Sequence, residues 1–186
     1  MSLKVDAETG CVLGASFIPS PNADERPCNQ TIDLIVIHNI SLPPGCFEGE
    51  DVIDLFLNRL DNSKNPYYQS LIGLRVSAHC WIRRSGEIIQ FVPFHQRAWH
   101  AGVSSYNGRE HCNNFSIGIE LEGSDELPFE SLQYERLIEL THALIAVYPT
   151  LAVGKIVGHS DIAPRRKTDP GPFFDWSFFK QQLGDI

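Results

Sequence analysis

Cysteine motifs for metal binding or for disulfide formation are missing from this sequence. The five cysteines lie far apart, their number is odd, and no two form a Cys-x-x-Cys pair. A closed structural zinc site needs clustered thiolates and a disulfide framework needs paired ones, so the pattern disfavours both. We therefore expect reduced thiols at Cys11, Cys28, Cys46, Cys80 and Cys112.

Long apolar runs are missing as well. The first eight residues, MSLKVDAE, carry acidic side chains and lack the apolar centre of a secretory signal. No later segment stays apolar for long enough to cross a bilayer. The sequence therefore predicts a cytoplasmic protein with no membrane partner.

Positive charge is scarce. Fifteen Lys and Arg residues face 23 Asp and Glu residues, for a formal net charge of −8. Nucleic-acid binding needs clustered basic side chains, and the densest cluster is residues 165–167, so we expect no nucleic-acid partner. Low-complexity tracts and internal repeats are also absent, and 186 residues suit one domain, residues 1–186. No apolar stripe suggests a subunit interface, so a monomer is expected.

Strand and helix patterns alternate along the chain. Prolines at positions 19, 21 and 27 predict an irregular segment over residues 1–31. Ser85-Gly86 joins two strand-like runs as the turn of a hairpin. The predicted strands cover residues 32–38, 78–84, 87–92, 115–122 and 156–159, and the predicted helices cover residues 51–60 and 132–148. This order predicts an α/β (α+β) domain with a central mixed β-sheet flanked by helices.

Two predicted strands end in histidines. His38 closes the apolar run at residues 32–37, and His159 follows the last strand, ten residues before Asp169. Strand ends often deliver side chains to a cleft, and two imidazoles with one carboxylate can hold a catalytic Zn²⁺ with one position left open. We therefore predict a zinc site at His38, His159 and Asp169.

Two further charged groups suit hydrolysis at such a site. Lys167 lies two residues before Asp169, where extended backbone brings both side chains to one side, so its ammonium group can stabilise an oxyanion. A carboxylate must also carry a proton to the leaving amine. Glu120 and Glu122 alternate onto the same strand face, and the alternation does not separate them.

Five sequence blocks resemble one known family. They are VIHNISLPPG at residues 36–45, LRVSAHC at 74–80, RAWHAG at 97–102, FSIGIELEG at 115–123 and KTDPGP at 167–172. The blocks resemble the AmpD type of 1,6-anhydro-N-acetylmuramyl-L-alanine amidase, and the likeness runs from about residue 19 to 176. This family is related in fold to phage zinc amidases and to peptidoglycan recognition proteins.

The resemblance implies roles for the predicted residues. It implies zinc at His38, His159 and Asp169, an acid/base role for Glu120 rather than Glu122, and an oxyanion role for Lys167. It also implies cleavage of the amide between the lactyl group of the anhydro sugar and L-alanine of the stem peptide. The resemblance further implies that the reaction recycles cell-wall fragments in the cytoplasm of a Gram-negative bacterium. In several such bacteria, loss of the enzyme lets the fragments accumulate and induces β-lactamase.

An anhydromuropeptide substrate would carry several carboxylates, which arginine pairs with in a bidentate manner. We therefore predict these substrate-binding residues: Asn39, Arg75, Trp99, Arg109 and Arg166. Each arginine could instead be a surface charge or a packing stem. His79 and His100 also match the family blocks, and we expect supporting roles for them because three ligands are already assigned.

Two alternatives have the same fold. One is a metal-free peptidoglycan-binding module, which would lack a ligand or the acid/base group, whereas every expected position is filled here. The other is an amidase that accepts a broader range of muropeptides.

Overall fold

The computed structural model describes residues 3–184, which form twelve strands and four α-helices. The strands are β1 (Val5–Asp6), β2 (Cys11–Val12), β3 (Ser16–Phe17), β4 (Ala23–Asp24), β5 (Leu34–Ile40), β6 (Cys80–Ile82), β7 (Ile88–Gln90), β8 (Arg97–Ala98), β9 (Ser105–Tyr106), β10 (Arg109–Glu110), β11 (Ser116–Glu122) and β12 (Ile156–Gly158). The helices are α1 (Asp51–Phe56), α2 (Ser131–Val147), α3 (His159–Ile162) and α4 (Trp176–Leu183). Three short 3₁₀ helices cover Pro66–Leu71, Cys112–Asn114 and Val153–Lys155.

Six strands form the central sheet in the order β12-β5-β11-β6-β7-β3. The neighbours from β12 to β6 run parallel, β6 and β7 run antiparallel, and β7 and β3 run parallel. The predicted mixed sheet with flanking helices is confirmed. The parallel part brings the carboxyl ends of β12, β5 and β11 to one edge.

Both faces of the sheet are covered, as the apolar run before His38 predicts. Ile35 and Ile37 pack with Leu137 and Leu140 of α2 on one face. Leu34, Val36 and His38 alternate onto the opposite face. In β11 the residues that pair with them are Ser116, Gly118 and Glu120, so a polar row faces away from α2.

Several predicted boundaries differ from the structure. Strand β5 continues to Ile40, so His38 lies inside the strand rather than at its end. Helix α1 stops at Phe56 because Asn58 adopts a positive φ of 61°, a conformation that asparagine tolerates better than most residues. The hairpin strands are shorter than predicted, since β6 and β7 cover three residues each.

The predicted irregular segment at residues 1–31 contains four short strands. Of these, β3 pairs with β7 and extends the central sheet. The prolines limit the length of the strands but do not prevent them. Within residues 3–184, no helix has both the length and the apolar character that crossing a membrane requires.

Candidate active site

The registers of three parallel strands bring the predicted ligands together. His38 in β5 pairs with Glu120 in β11, and Ile37 pairs with Gly158 at the end of β12. Partners in neighbouring strands lie about 5 Å apart, and paired side chains point to the same face. His159 follows Gly158 directly, so it reaches the same edge as His38.

Three ligand atoms converge at this edge. The Nδ1 atoms of His38 and His159 lie 2.9 Å apart. Each of them lies 3.0 Å from Oδ2 of Asp169. The side chains of His38, His159 and Asp169 are 1%, 3% and 14% exposed, so the group is closed to bulk water on most sides. This group could hold a metal ion.

Hydrogen bonding fixes the tautomer of one ligand. Nε2 of His159 lies 3.1 Å from the carbonyl oxygen of Ala101, which can only accept. Nη2 of Arg166 lies 3.3 Å from the same nitrogen, but its two protons go to the carbonyl oxygens of Ala101 and Val103 at shorter distances. Nε2 of His159 therefore carries the proton, and Nδ1 keeps its lone pair toward Asp169. Burial lowers the pKa of His38 to about 4, which keeps that imidazole neutral near pH 7.

The donor set fits the predicted zinc ion. Neutral imidazoles and a carboxylate are ligands that Zn²⁺ prefers, and three protein ligands leave a fourth position for reaction. In a tetrahedral site with bonds of about 2.0–2.1 Å, ligand atoms lie about 3.3 Å from one another. The observed separations of 2.9–3.0 Å are close to that spacing.

The structure separates the two candidate carboxylates by their contacts. Glu122 accepts hydrogen bonds from the backbone N–H groups of Glu48 and Arg84, so both of its oxygens hold the fold. Glu120 lines the cavity beside His38, and its Oε2 atom is buried with no hydrogen-bond partner among residues 3–184. Burial and the charge of Asp169 raise the pKa of Glu120 well above its usual value, while Lys167 acts in the opposite direction.

A cavity of about 890 Å³ opens over these groups, large enough for a small organic ligand. Seven predicted site residues line it: His38, Asn39, Glu120, His159, Arg166, Lys167 and Asp169. Tyr67, Leu71 and Leu74 form an apolar wall. The sequence does not identify the individual residues of this wall, because residues 58–73 have no readable periodicity.

Two predicted substrate-binding residues lie in the cavity but already have partners. Nδ2 of Asn39 donates to Oδ1 of Asp125 over 2.7 Å. Nη2 of Arg166 donates to the carbonyl oxygens of Ala101 and Val103 over 2.6 and 2.7 Å. Asp125 was also missed, although a loop after the carboxyl end of a parallel strand is where binding residues are expected.

Three other predicted substrate-binding residues are absent from the cavity lining among residues 3–184. Arg75 lines a smaller neighbouring cavity that shares Leu71 and Leu74 with the main one. The indole N–H of Trp99 donates to Asp24 over 3.2 Å.

Arg109 lies farther from the site. It pairs with Asp33, just before the start of β5 and therefore at the opposite end of this strand from the ligands. Its guanidinium group also lies 3.6 Å from the ring centre of Phe115. The structure does not bring Arg109 to the cavity, and its substrate role stays a prediction.

Comparison with known proteins agrees with the family that the sequence blocks resemble. The family model described as N-acetylmuramoyl-L-alanine amidase matches residues 28–172. The 1,6-anhydro-N-acetylmuramyl-L-alanine amidase AmpD of Escherichia coli K12 is 56% identical over 173 residues, which cover 93% of this chain and 94% of that protein.

The enzyme of the same name from Citrobacter freundii is 54% identical, over 93% of this chain and 92% of its own length. A crystal structure of a selenomethionine derivative of AmpD superimposes with a TM-score of 0.92 and 52% identity, covering 96% of this chain and 98% of the other.

Proposed function

Since the chain belongs to the N-acetylmuramoyl-L-alanine amidase family, we propose that its main cavity hydrolyses the lactyl amide of anhydromuropeptides with Zn²⁺ held by His38, His159 and Asp169. The bond cleaved joins 1,6-anhydro-N-acetylmuramic acid to L-alanine of the stem peptide. The convergence of three ligand atoms at the floor of the cavity, beside a buried carboxylate, is the observation that carries the proposal. The reaction serves cell-wall recycling, and we place it in the cytoplasm.

The residues at the bottom of the cavity divide metal binding and proton transfer between them. Zn²⁺, when bound, supplies Lewis acidity that lowers the pKa of water and polarises a carbonyl group. His38, His159 and Asp169 hold the ion and exclude bulk water from it. Their burial strengthens every electrostatic interaction that develops during the reaction.

Glu120 moves the proton. Its unpartnered Oε2 accepts a proton from the attacking water as the water oxygen bonds to the carbonyl carbon. The same carboxyl group then gives this proton to the alanine nitrogen as the C–N bond breaks, so the amine leaves neutral. Burial and the charge of Asp169 favour the protonated carboxyl and so assist the second step, whereas the charge of Lys167 favours the carboxylate that the first step needs.

Lys167 stabilises the negative charge that develops on the carbonyl oxygen. It lines the cavity two residues from Asp169, and removing a comparable oxyanion donor in other enzymes costs about 3–4 kcal/mol. Asn39 and Arg166 line the same cavity and would orient the sugar or the stem peptide once their present partners are exchanged.

Mass spectrometry of digests tests the proposal. The purified protein is incubated with 1,6-anhydro-N-acetylmuramyl-tripeptide and, separately, with the same compound carrying the non-anhydro sugar. We expect free tripeptide from the anhydro compound, loss of cleavage with a chelator and recovery with added Zn²⁺. Equal cleavage of both sugars would indicate an amidase of broader specificity, and binding without cleavage would indicate a recognition module.

A further inference from the structure

A row of buried hydrogen bonds runs behind His38, on the side away from Asp169. Nε2 of His38 lies 2.9 Å from Nδ1 of His100, and Nε2 of His100 lies 3.1 Å from Oγ of Ser116. The Ser116 hydroxyl reaches the carbonyl oxygen of Cys112 over 2.6 Å. His38, His100 and Ser116 are 1%, 8% and 0% exposed, so water has little access to the row.

The far end of the row fixes its direction. The carbonyl oxygen of Cys112 has no proton, so the Ser116 hydroxyl must donate its only proton there. Ser116 Oγ can then only accept, which places a proton on Nε2 of His100. A neutral His100 consequently has a lone pair on Nδ1, and it accepts from Nε2–H of His38.

The opposite direction would place the protons differently. A Ser116 hydroxyl turned toward His100 would put the His100 proton on Nδ1 and the His38 proton on its own Nδ1. That proton would occupy the space between His38, His159 and Asp169, where the metal belongs. The 2.6 Å contact between Ser116 and Cys112 selects the direction that keeps this space open.

Packing holds the His100 ring in place. A Cβ atom built on Gly118 would lie 2.3 Å from Cγ of His100, so the ring rests directly on the β11 backbone. Residues 116, 118 and 120 share one face of the strand. This face of β11 therefore supplies the hydroxyl of Ser116 that binds His100, the space at Gly118 that the ring occupies, and the carboxylate of Glu120.

We propose that His100 and Ser116 are positioning residues that hold the proton of His38 on Nε2 and leave its Nδ1 lone pair for the metal. The proposal rests on the zinc site of the proposed function. The two histidine ligands differ in this respect: a backbone carbonyl, that of Ala101, orients His159, whereas two side chains orient His38. The partners that set the tautomer of His38 can therefore be removed by point mutation, whereas the Ala101 carbonyl group cannot.

A matched pair of substitutions at position 100 tests the hydrogen bond apart from the shape of the side chain. Asparagine and leucine both branch at Cγ, but only the Asn carbonyl oxygen can replace the acceptor Nδ1. Zn²⁺ dissociation constants are measured by competition with a chromogenic chelator. We expect His100→Leu to weaken zinc binding by about 10- to 100-fold, the range found for outer partners of metal ligands. His100→Asn should stay close to the wild type.

Ser116→Ala removes the anchor and should weaken zinc binding toward the lower end of the same range, about 10-fold. Thr141→Ala is its control, because Thr141 is also buried and its hydroxyl also donates to a carbonyl, that of Leu137, over 2.7 Å. This control lies in α2 and should leave zinc binding unchanged. Thermal unfolding of each metal-free variant identifies any that fail to fold.

The proton position is measured directly by NMR as a scalar coupling across the N–H···N bond, with and without Zn²⁺. The proposal expects the proton on Nε2 of His38, coupled to Nδ1 of His100. Equal zinc affinities for the Leu variant and the wild type, or equal losses for Leu and Asn, would overturn it. A wild-type protein that binds no zinc would refute the proposed function, while a proton found on Nδ1 of His38 would refute the positioning roles.

Discussion

The floor and the rim of the cavity are built in different ways. The floor consists of His38, Glu120, His159 and Asp169. His38 and Glu120 lie within the neighbouring parallel strands β5 and β11, His159 follows β12 directly, and these three are at most 9% exposed. The predicted substrate-binding residues, here termed the rim, lie at loops, short strands and strand ends. Asn39 and Arg166 line the cavity, whereas Arg109 lies away from it. Floor side chains contact one another, whereas rim side chains contact the rest of the fold.

This difference has an energetic reason. A buried polar atom without a partner costs about 1–3 kcal/mol, so the unpartnered Oε2 of Glu120 lowers the stability of the fold. Local costs of this kind are expected at functional sites. An exposed arginine in an ion pair costs little and can serve structure alone. The buried, unpaired carboxylate of the floor therefore indicates function more strongly than the exposed ion pairs of the rim do.

Removing a floor ligand should produce the largest effect. Asp169→Ala leaves two imidazoles and no anionic ligand, so zinc affinity should fall by more than the roughly 100-fold that marks the loss of an outer partner. Metal content after dialysis and amidase turnover should be lost together. Asp125→Ala is the control, because this carboxylate lines the same cavity outside the ligand group. A zinc-replete, active Asp169→Ala protein would remove the basis for the metal site.

Glu120→Gln should separate chemistry from metal binding. The amide keeps the size of the side chain but cannot carry a proton, so kcat should fall by about 10²- to 10⁴-fold with zinc content unchanged. Glu122→Gln is a suitable comparison: its oxygens hold the backbone at Glu48 and Arg84, so stability should fall while most turnover remains. Similar losses of turnover in both variants would mean that the assignment of proton transfer to Glu120 alone is wrong.

The sequence predicted which side chains converge at the floor better than it predicted those of the rim, because the floor depends on regular strands. The apolar run before His38 and the alternation in β11 identify strands, and parallel strands in register must bring their side chains to one edge. The resemblance, not the alternation, singled out Glu120 over Glu122. The backbone contacts of Glu122 depend on loop packing, which no periodicity records.

Rim positions depend on loops whose paths are set by contacts distant in sequence. Arg109 pairs with Asp33 across 76 residues of chain, and a local motif does not encode that contact. Trp99 is similar, because it donates to Asp24. Charge alone therefore predicted an arginine that could bind carboxylates, but not which carboxylate it meets in the folded chain.

A buried histidine beneath the floor should also make the fold sensitive to acid. This residue is His79, in which Nδ1 accepts from Gly118 N–H and Nε2 contacts the carbonyl oxygen of Gln96. Burial, assisted by the positive charge of Arg26, lowers the pKa of His79 to about 3. The unfolded chain binds a proton near pH 6.5 and the folded chain does not, so the free energy of unfolding falls as pH drops below 6.5.

The expected slope for this one proton is about 1.4 kcal/mol per pH unit, between the unfolded pKa and the folded one. The slope is measured by urea unfolding of the metal-free wild type and of His79→Asn between about pH 4.5 and 7, an interval that lies mostly between those two pKa values. The variant should be less stable at pH 7 but lose stability less steeply on acidification. Parallel pH profiles would mean that His79 is protonated in the folded protein.

The smallest effect should come from Arg109, and it tests whether the rim is as the structure places it. Arg109→Ala breaks an exposed ion pair with Asp33, so the free energy of unfolding should fall by about 1 kcal/mol or less, and KM should not change. Arg75→Ala, beside the cavity, should raise KM with kcat nearly unchanged, as expected for a contact made equally in the ground and transition states. An equal rise in KM for both variants would mean that substrate binding moves the Arg109 strand toward the cavity. The contacts of Arg109 with Asp33 and Phe115 would then describe only the state without substrate. The floor would be preformed, whereas the rim would be completed when the substrate binds.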